Sequence, residues 1–380
     1  MNILILSVAT GGGHIKTSNS IKEYICNNNS EANVRIVDTL SYINPILNKT
    51  ISNGYKYLAM KTPRIYGELY ELANKENSLN TLVSKLNNIF SNKLIPLISE
   101  FEPNIIITTH PFSTEMVSIL KEKRIVDIPL LCIMTDYSSH KTWINTGVDA
   151  YIVSNKDMVV EMIEQGVDRN KVYSYGIPID ELFLKKENKE ELLDELGLEY
   201  DKKIILIMAG SFGVTKILEI YKNLTPLNKD FQIVLVTGKN QKLYNKFKKE
   251  ITHHERPIKL IYFTEEINKF MKVADIIITK PGGLTTTEAI ASKVPMILFD
   301  AIPGQEEENA EFLVKYGIAL KCDNNKSCND CVVELLDNEK TLEKMKEACK
   351  ELRVNQSNEK IYKLINFLVD EKENEKNCVI

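Results

Sequence analysis

At 380 residues and 43% hydrophobic content the chain can bury a substantial core, which excludes intrinsic disorder and favours two domains over one. A net charge of −4 and a pI near 5.9 exclude a global pull toward nucleic acid, so attraction to an anionic surface has to come from a local patch. No apolar run approaches the ~18 residues that a bilayer span needs, and seven cysteines without a secretory signal point to reduced thiols in a cytosolic protein.

In chain order, the apolar run 2–8 predicts a buried strand that leads into Gly11, Gly12, Gly13 and His14, with a helix expected over 15–25. Further short runs rich in Ile and Val fall at 34–38, 104–109, 130–135, 150–153 and 172–175, with helix-like stretches between them. That alternation is how a parallel sheet with crossover helices reads. "YGIPID" follows, where Gly176 and Pro178 supply a turn and a stiff hinge. Six more runs then occur at 203–208, 232–236, 259–262, 275–279, 296–299 and 318–321. The fold class is therefore α/β, two Rossmann-like doubly wound domains, at 1–177 and 178–345, with strand carboxyl ends facing a central cleft. Helical spacing over 342–369 predicts that the segment 346–380 holds a helix packing back across the domains, and the charge run 370–376 predicts a frayed tail.

The residues that carry chemistry cluster at expected strand ends. Glycines let the backbone turn tightly and approach a ligand, and the helix N-terminus after them favours negative charge. Two more loops of this kind, "AGSFG" and "TKPGGLTTTEA", lie in the second half, and a pair of them suits a diphosphate. There is no G-x-x-x-x-G-K-[ST], which argues against an ATPase, and no D-x-D to hold a metal diphosphate. Glu288 lies in the first turns of the expected helix, placed to accept hydrogen bonds from a ribose diol; the bland alternative is a solvated charge near a helix start. "PGQEEEN" adds Gln305, Glu306 and Asn309, donors and acceptors suited to sugar hydroxyls. In the first half, "TDYSSHKTW" offers Asp136 to orient or replace a base, His140, and the chain's single tryptophan, Trp143; "TTHPF" offers His110. His14 is the side chain that titrates nearest neutral pH, as a general base for a hydroxyl requires.

Together "TGGGH", "TDYSSHKTW", "GIPID", "AGSFG", "KPGGLTTTEA" and "PGQEEEN" stand in the order and spacing of a family of glycolipid synthases. From about residue 1 to 365 the chain resembles processive diacylglycerol glucosyltransferases and plastid monogalactosyldiacylglycerol synthases, relatives of the peptidoglycan transferase MurG. The resemblance implies a GT-B fold, UDP-glucose or UDP-galactose as donor, diacylglycerol or a glycosyl-diacylglycerol as acceptor, and inversion at the anomeric carbon. It implies His14 as the base, Glu288 on the ribose, and Gln305, Glu306 and Asn309 on the sugar. Gly210, Ser211, Gly213, Phe263, Gly282, Gly283 and Thr287 complete the donor set, and Gly13, His110, His140 and Trp143 fall on the acceptor side. One departure is Ala209 before Gly210, where relatives more often have Gly-Gly-Ser.

Residues 39–67 hold Lys49, Lys56, Lys61 and Arg64 without an Asp or Glu, interleaved with Tyr55, Tyr57 and aliphatic side chains. Such a mixture predicts settling on an anionic membrane, peripheral and on the cytoplasmic face. No cofactor and no metal are expected, since helix starts and glycine loops can replace the metal of D-x-D enzymes. Cys322, Cys328 and Cys331 contain one C-x-x-C pair without a local fourth ligand for zinc. Two competing functions remain open here. A UDP-sugar epimerase or hydrolase of the same fold would keep Glu288 and the phosphate loops but needs no lipid-facing patch. A non-catalytic UDP-sugar sensor would need no base, against which His14 and Asp136 speak. A glycosidase would want two facing carboxylates, and no persuasive pair occurs.

Overall fold

The computed structural model describes residues 1–9, 12–45, 67–68, 88–208, 214–251, 257–323, 326–352 and 356–378. Ile3, Leu4, Ile5 and Leu6 of β1 (Asn2–Ser7) are all fully buried, because both faces of a parallel strand are covered by crossover helices. Ile3 and Ile5 join Ile21 and Ile25 of the helix Gly13–Asn28, and Ile361 and Ile365 of the helix Ser357–Cys378. Leu4 and Leu6 join Leu94, Met116 and Leu120 on the opposite face. Leu6→Ala at such a site costs about 2–5 kcal/mol.

Contacts divide the chain into two units, one of Met1–Ile179, Pro303–Gln305 and Val354–Ile380, the other of Asp180–Ile302 and Glu306–Arg353. The first holds a six-stranded parallel sheet in the order β2-β1-β3-β4-β5-β6. Its remaining strands are β2 (Asn33–Asp38), β3 (Ile105–Thr108), β4 (Leu130–Ile133), β5 (Ala150–Ile152) and β6 (Val172–Tyr173). β6 stops two residues short of its apolar run, since Tyr175 N turns back to Tyr173 O at 3.0 Å and Gly176 takes φ 84°.

The second unit holds another six-stranded parallel sheet, in the order β12-β11-β10-β7-β8-β9. These strands are β7 (Lys203–Met208), β8 (Phe231–Val236), β9 (Ile258–Ile261), β10 (Ile276–Thr279), β11 (Met296–Leu298) and β12 (Ala319–Lys321). Ile205, Ile207, Ile233 and Leu235 pack there with Tyr221 and Phe247, whose rings meet edge to face at 5.3 Å.

The single helix expected over 342–369 is two helices, Glu339–Leu352 in the second unit and Ser357–Cys378 in the first. Gln356 takes φ 62° just before the latter begins. Ser357 Oγ then donates to Gly176 O and Asn358 Nδ2 to Ile179 O, each at 3.0 Å, fixing the helix start to the first unit. The charge run 370–376 continues that helix instead of fraying. Lys372 ties it down by pairing with Asp127 at 2.8 Å and Glu375 at 3.1 Å.

In the first sheet the strand order reverses between β1 and β3, and in the second between β7 and β10. Doubly wound sheets take their ligands outside the carboxyl ends of strands at such switch points.

Candidate active site

β1 and β3 end where His14 and His110 begin the next helices. Gly12, in the left-handed conformation at φ 84°, is the N-cap of Gly13–Asn28, so His14 stands in the first turn of the helix and not in the loop before it. A side chain at Gly12 would meet nothing within 4 Å, so backbone conformation and not crowding calls for glycine there. His14 Nδ1 lies 2.7 Å from Thr109 O and 3.0 Å from Thr135 Oγ1. A carbonyl can only accept, so Nδ1 carries the proton and Nε2 keeps its lone pair. His110 caps the helix Pro111–Glu122 by accepting from Phe112 N at Nδ1, 3.1 Å away, which puts its own proton on Nε2. The two rings meet edge on, with centroids 4.8 Å apart, and Trp143 lies 6.4 Å from His14.

Desolvation lowers the His14 pKa to about 4, outweighing the opposing effect of the Thr109 carbonyl. Burial likewise takes His110 well below the ordinary histidine value, and the proximity of His14 adds to it. Both imidazoles are therefore neutral at pH 7. The arrangement can accept a proton at His14 Nε2 and donate a hydrogen bond from His110 Nε2.

Asp136 follows β4 and is buried, 4% exposed. It accepts from Gln305 Nε2 at 2.5 Å, so the structure brings a base candidate and a sugar-binding candidate together within the first unit. Glu161 braces the same loop, its Oε2 accepting from both N and Oγ of Ser139 at 2.9 Å. His140 is also buried. It pairs with Thr142 Oγ1 at 2.8 Å and caps the short turn Lys141–Trp143, while Trp143 packs into the core.

In the second unit Gly282 is the N-cap of the helix Gly283–Ser292, and a side chain at Gly282 would meet nothing within 4 Å, so open space lies over the helix start. Thr287 Oγ1 donates to Gly283 O at 2.7 Å. Glu288 is 5% exposed, which removes its reading as a solvated surface charge. Asn309 is fully buried and donates to Pro281 O at 3.0 Å, tying the helix Gln305–Lys315 to the 281–283 loop. Glu306 accepts from Ile302 N at 2.9 Å and closes the turn before that helix. Phe263, just past β9, exposes 44% of its surface, and the Lys239 ammonium lies 4.6 Å from its ring centre.

Gly210, Ser211 and Gly213 lie outside the described residues, as do Lys49, Tyr55, Lys56, Tyr57, Lys61 and Arg64 of the basic patch. Cys322, Cys328 and Cys331 are free thiols, and among the described residues no group of three or more His, Cys, Asp or Glu is arranged to hold a metal. No helix among the described residues is long and apolar enough to cross a membrane. Sequence reasoning missed Thr109, Thr135 and Glu161. Thr109 acts through its main-chain carbonyl, which any residue supplies. Thr135 and Glu161 act on neighbours far away in sequence, and only their strand-end and helix positions hinted at them.

The family described as monogalactosyldiacylglycerol (MGDG) synthase matches residues 14–179, and the glycosyltransferase family 28 C-terminal domain matches residues 204–366. A processive diacylglycerol beta-glucosyltransferase of Bacillus licheniformis is 33% identical over 366 residues, covering 95% of this chain and 93% of that protein. One from Bacillus subtilis is 32% identical over 365 residues, covering 94% and 93%. Among solved structures, the S. aureus MnaA-UDP complex superposes with a TM-score of 0.64 at 17% identity, covering 97% of each chain. Acinetobacter baumannii MurG does so with a TM-score of 0.61 at 14% identity, covering 96% of this chain and 99% of that one. These neighbours give the fold, GT-B. Sequence identity sustained over nearly the whole length gives the rest, and the chain belongs to the family of processive diacylglycerol glucosyltransferases, within the glycosyltransferases that join an MGDG-synthase domain to a family 28 C-terminal domain.

Proposed function

We propose that the protein moves a hexose from UDP-glucose or UDP-galactose to diacylglycerol or a glycosyl-diacylglycerol at a membrane surface, inverting the anomeric carbon. The observation that carries the catalytic reading is the tautomer of His14, whose Nδ1 is committed to Thr109 O while Nε2 keeps a lone pair. In the reaction the lipid hydroxyl oxygen attacks C1 of the sugar, its proton passes to His14 Nε2, and the electrons of the breaking C1–O bond leave with UDP. Attack from the face opposite UDP inverts the centre.

The names of the bacterial relatives favour glucose among the two sugars. The glycine-rich stretch 209–213 and the 281–283 loop, with the helices that follow, supply donors for the diphosphate without a metal. Residues 39–67 supply the cations and aromatic groups for an anionic leaflet. Two structural neighbours are titled UDP-N-acetylglucosamine 2-epimerase, one of them as putative, and they share the fold at 16% and 13% identity. Identity of about twice that level sides with transfer to lipid.

The deciding experiment incubates the purified protein with radiolabelled UDP-glucose or UDP-galactose and diacylglycerol vesicles, and identifies the labelled product. Label in a glycosyl-diacylglycerol is the expected result. Label recovered only as an epimerised nucleotide sugar or free hexose, with or without vesicles, defeats the proposal.

A further inference from the structure

The turn that leads into the helix Gln305–Lys315 follows β11 of the second sheet, yet its residues Pro303–Gln305 belong by their contacts to the first unit. The turn is closed on itself, since Glu306 Oε2 accepts from Ile302 N at 2.9 Å and Glu307 N donates to Ile302 O at 3.2 Å. A turn closed in this way moves as one piece, so what its outer residues rest against sets where Gln305 stands. Two residues of the first unit support it. Asp136 accepts from Gln305 Nε2, and Gly67, itself buried, lies against Pro303.

The contact at Gly67 leaves no room for a side chain. A Cβ added there would stand 2.6 Å from Pro303 Cβ, where carbon atoms ordinarily keep about 3.5–4.0 Å apart, so the turn or the backbone at 67 would have to give way by about 1 Å. The proline ring is closed onto its own backbone and cannot swing aside as a long side chain would. Gly147 is placed as tightly, 2.8 Å from Ser118 Oγ for the same added atom, but it precedes β5, at the amino end of the first sheet and away from the site. Gly67 differs in what it supports, because the atom it makes room for belongs to the turn that carries Gln305.

We propose that Gly67 is a positioning residue for the donor sugar, the seat against which Pro303 holds the turn 302–307 and thereby Gln305 at the sugar hydroxyls. The inference rests on the donor class proposed above and adds a residue that acts through Pro303 and not on the sugar itself. A side chain at 67 pushes the turn off its seat, while the helix start at 282–283 and Glu288, which serve the nucleotide, stay where they are. Misplacing a substrate-holding group by about 1 Å can cost up to about a hundredfold in rate.

The test is a cycle of Gly67→Ala, Pro303→Gly and the double variant, with thermal unfolding as the check on folding. The readouts are kcat/KM for the UDP-hexose that the wild type uses, UDP-glucose or UDP-galactose, and calorimetric affinity for UDP, which lacks the sugar and is the internal control. Gly67→Ala is expected to lower kcat/KM by about tenfold or more and to leave UDP affinity within about twofold of wild type. With the Pro303 ring removed, the closest Pro303 atom to a Cβ at 67 is Cα, at 3.8 Å, an ordinary contact. Adding Gly67→Ala to Pro303→Gly should therefore cost about twofold at most, the non-additivity that contacting residues show. If Gly67→Ala fails to fold, Pro303→Gly carries the test alone, since a turn without its seat should lose kcat/KM for the UDP-hexose and keep UDP affinity. Equal losses from Gly67→Ala in both backgrounds, a matching loss of UDP affinity, or a lowered unfolding temperature with kcat/KM unchanged overturns the assignment. A wild type that transfers from neither UDP-hexose overturns the donor class itself, a different result from wild-type transfer that the variants leave intact.

Discussion

In the first unit the strands flanking the switch point, β1 and β3, lead to His14 and His110; in the second, β7 leads to Lys216 and β10 to Lys280. The topology is shared and the chemistry is opposite. At the first switch point the side chains are imidazoles kept neutral by desolvation, one presenting a lone pair. At the second they are two lysines paired with one carboxylate, that of Asp300. A transferase needs both conditions, since proton removal from the acceptor wants an unprotonated base and departure of a diphosphate wants fixed positive charge. The parallel sheet supplies the place, and the first residues beyond each strand decide what happens there.

The comparison breaks most sharply at His14. Replacing it with Ala is expected to lower turnover by about a hundredfold or more, the usual yield of general base catalysis, while UDP affinity by calorimetry stays at the wild-type level. Near-normal turnover would move the base to Asp136, which is buried beside Gln305. Next in size is Glu288, a buried carboxylate of the second unit. Glu288→Ala should weaken UDP and UMP together by about tenfold or more, because a ribose contact is common to both and charged hydrogen bonds are worth about 1.5–3 kcal/mol. Parallel loss separates a ribose ligand from a group that meets only the second phosphate.

Much of this was legible in the sequence for a physical reason. Strands covered on both faces must be apolar throughout, so Ile3 to Leu6 and Ile204 to Ile207 show as unbroken runs, and all twelve expected strands form. The division into helices Glu339–Leu352 and Ser357–Cys378 was not legible. Leu342, Met345 and Cys349 of one helix and Ile361, Leu364 and Ile365 of the next keep helical spacing, so two stripes buried in different units read as one. The charge run 370–376 misled because a polar helix end looks frayed until its partner, here Asp127, is known. At the site, His14 and Glu288 stood out by motif. The pairing of Lys280, which opens "KPGGLTTTEA", with Asp300 did not, because an aspartate in a loop is ordinary in sequence and only the sheet order brings it to that lysine.

The neutral state of the first site gives a smaller but sharper effect. With a pKa of about 4 in place of 6.5, His14 stays an available base down to mildly acid pH. At pH 5.5 an unperturbed histidine would be about nine-tenths protonated and kcat/KM would have fallen about tenfold, whereas here it should stay within about twofold of its neutral value. The same shift acts on stability. Between pH 6.5 and 4 the unfolded chain binds a proton that the folded one refuses, so this contribution is complete above pH 6.5 and is lost as pH falls toward 4. Histidine NMR separates His14 from Asp136 as the source of any acid limb. The His14 ring signal should fail to titrate above about pH 5 and the His110 signal should not titrate in the ordinary histidine range, and titration of both near 6.5 would undo the contrast between the two switch points.

The smallest expected effect is none at all, and it tests the charged half of the comparison. If the amides at the helix starts carry the diphosphate charge, transfer requires no divalent ion, as the missing D-x-D pattern also implies. Rates measured with vesicles of fixed composition should then be the same in EDTA and in magnesium, once the weak screening of the lipid surface by the cation is matched with monovalent salt. The matching matters because magnesium also neutralises anionic lipid, which changes how much enzyme reaches its acceptor without touching the leaving group. Single-turnover transfer to a short-chain diacylglycerol dispersed in neutral detergent removes that route. Loss of transfer in EDTA under those conditions, with recovery on adding magnesium or manganese, would give the leaving group's charge to a metal.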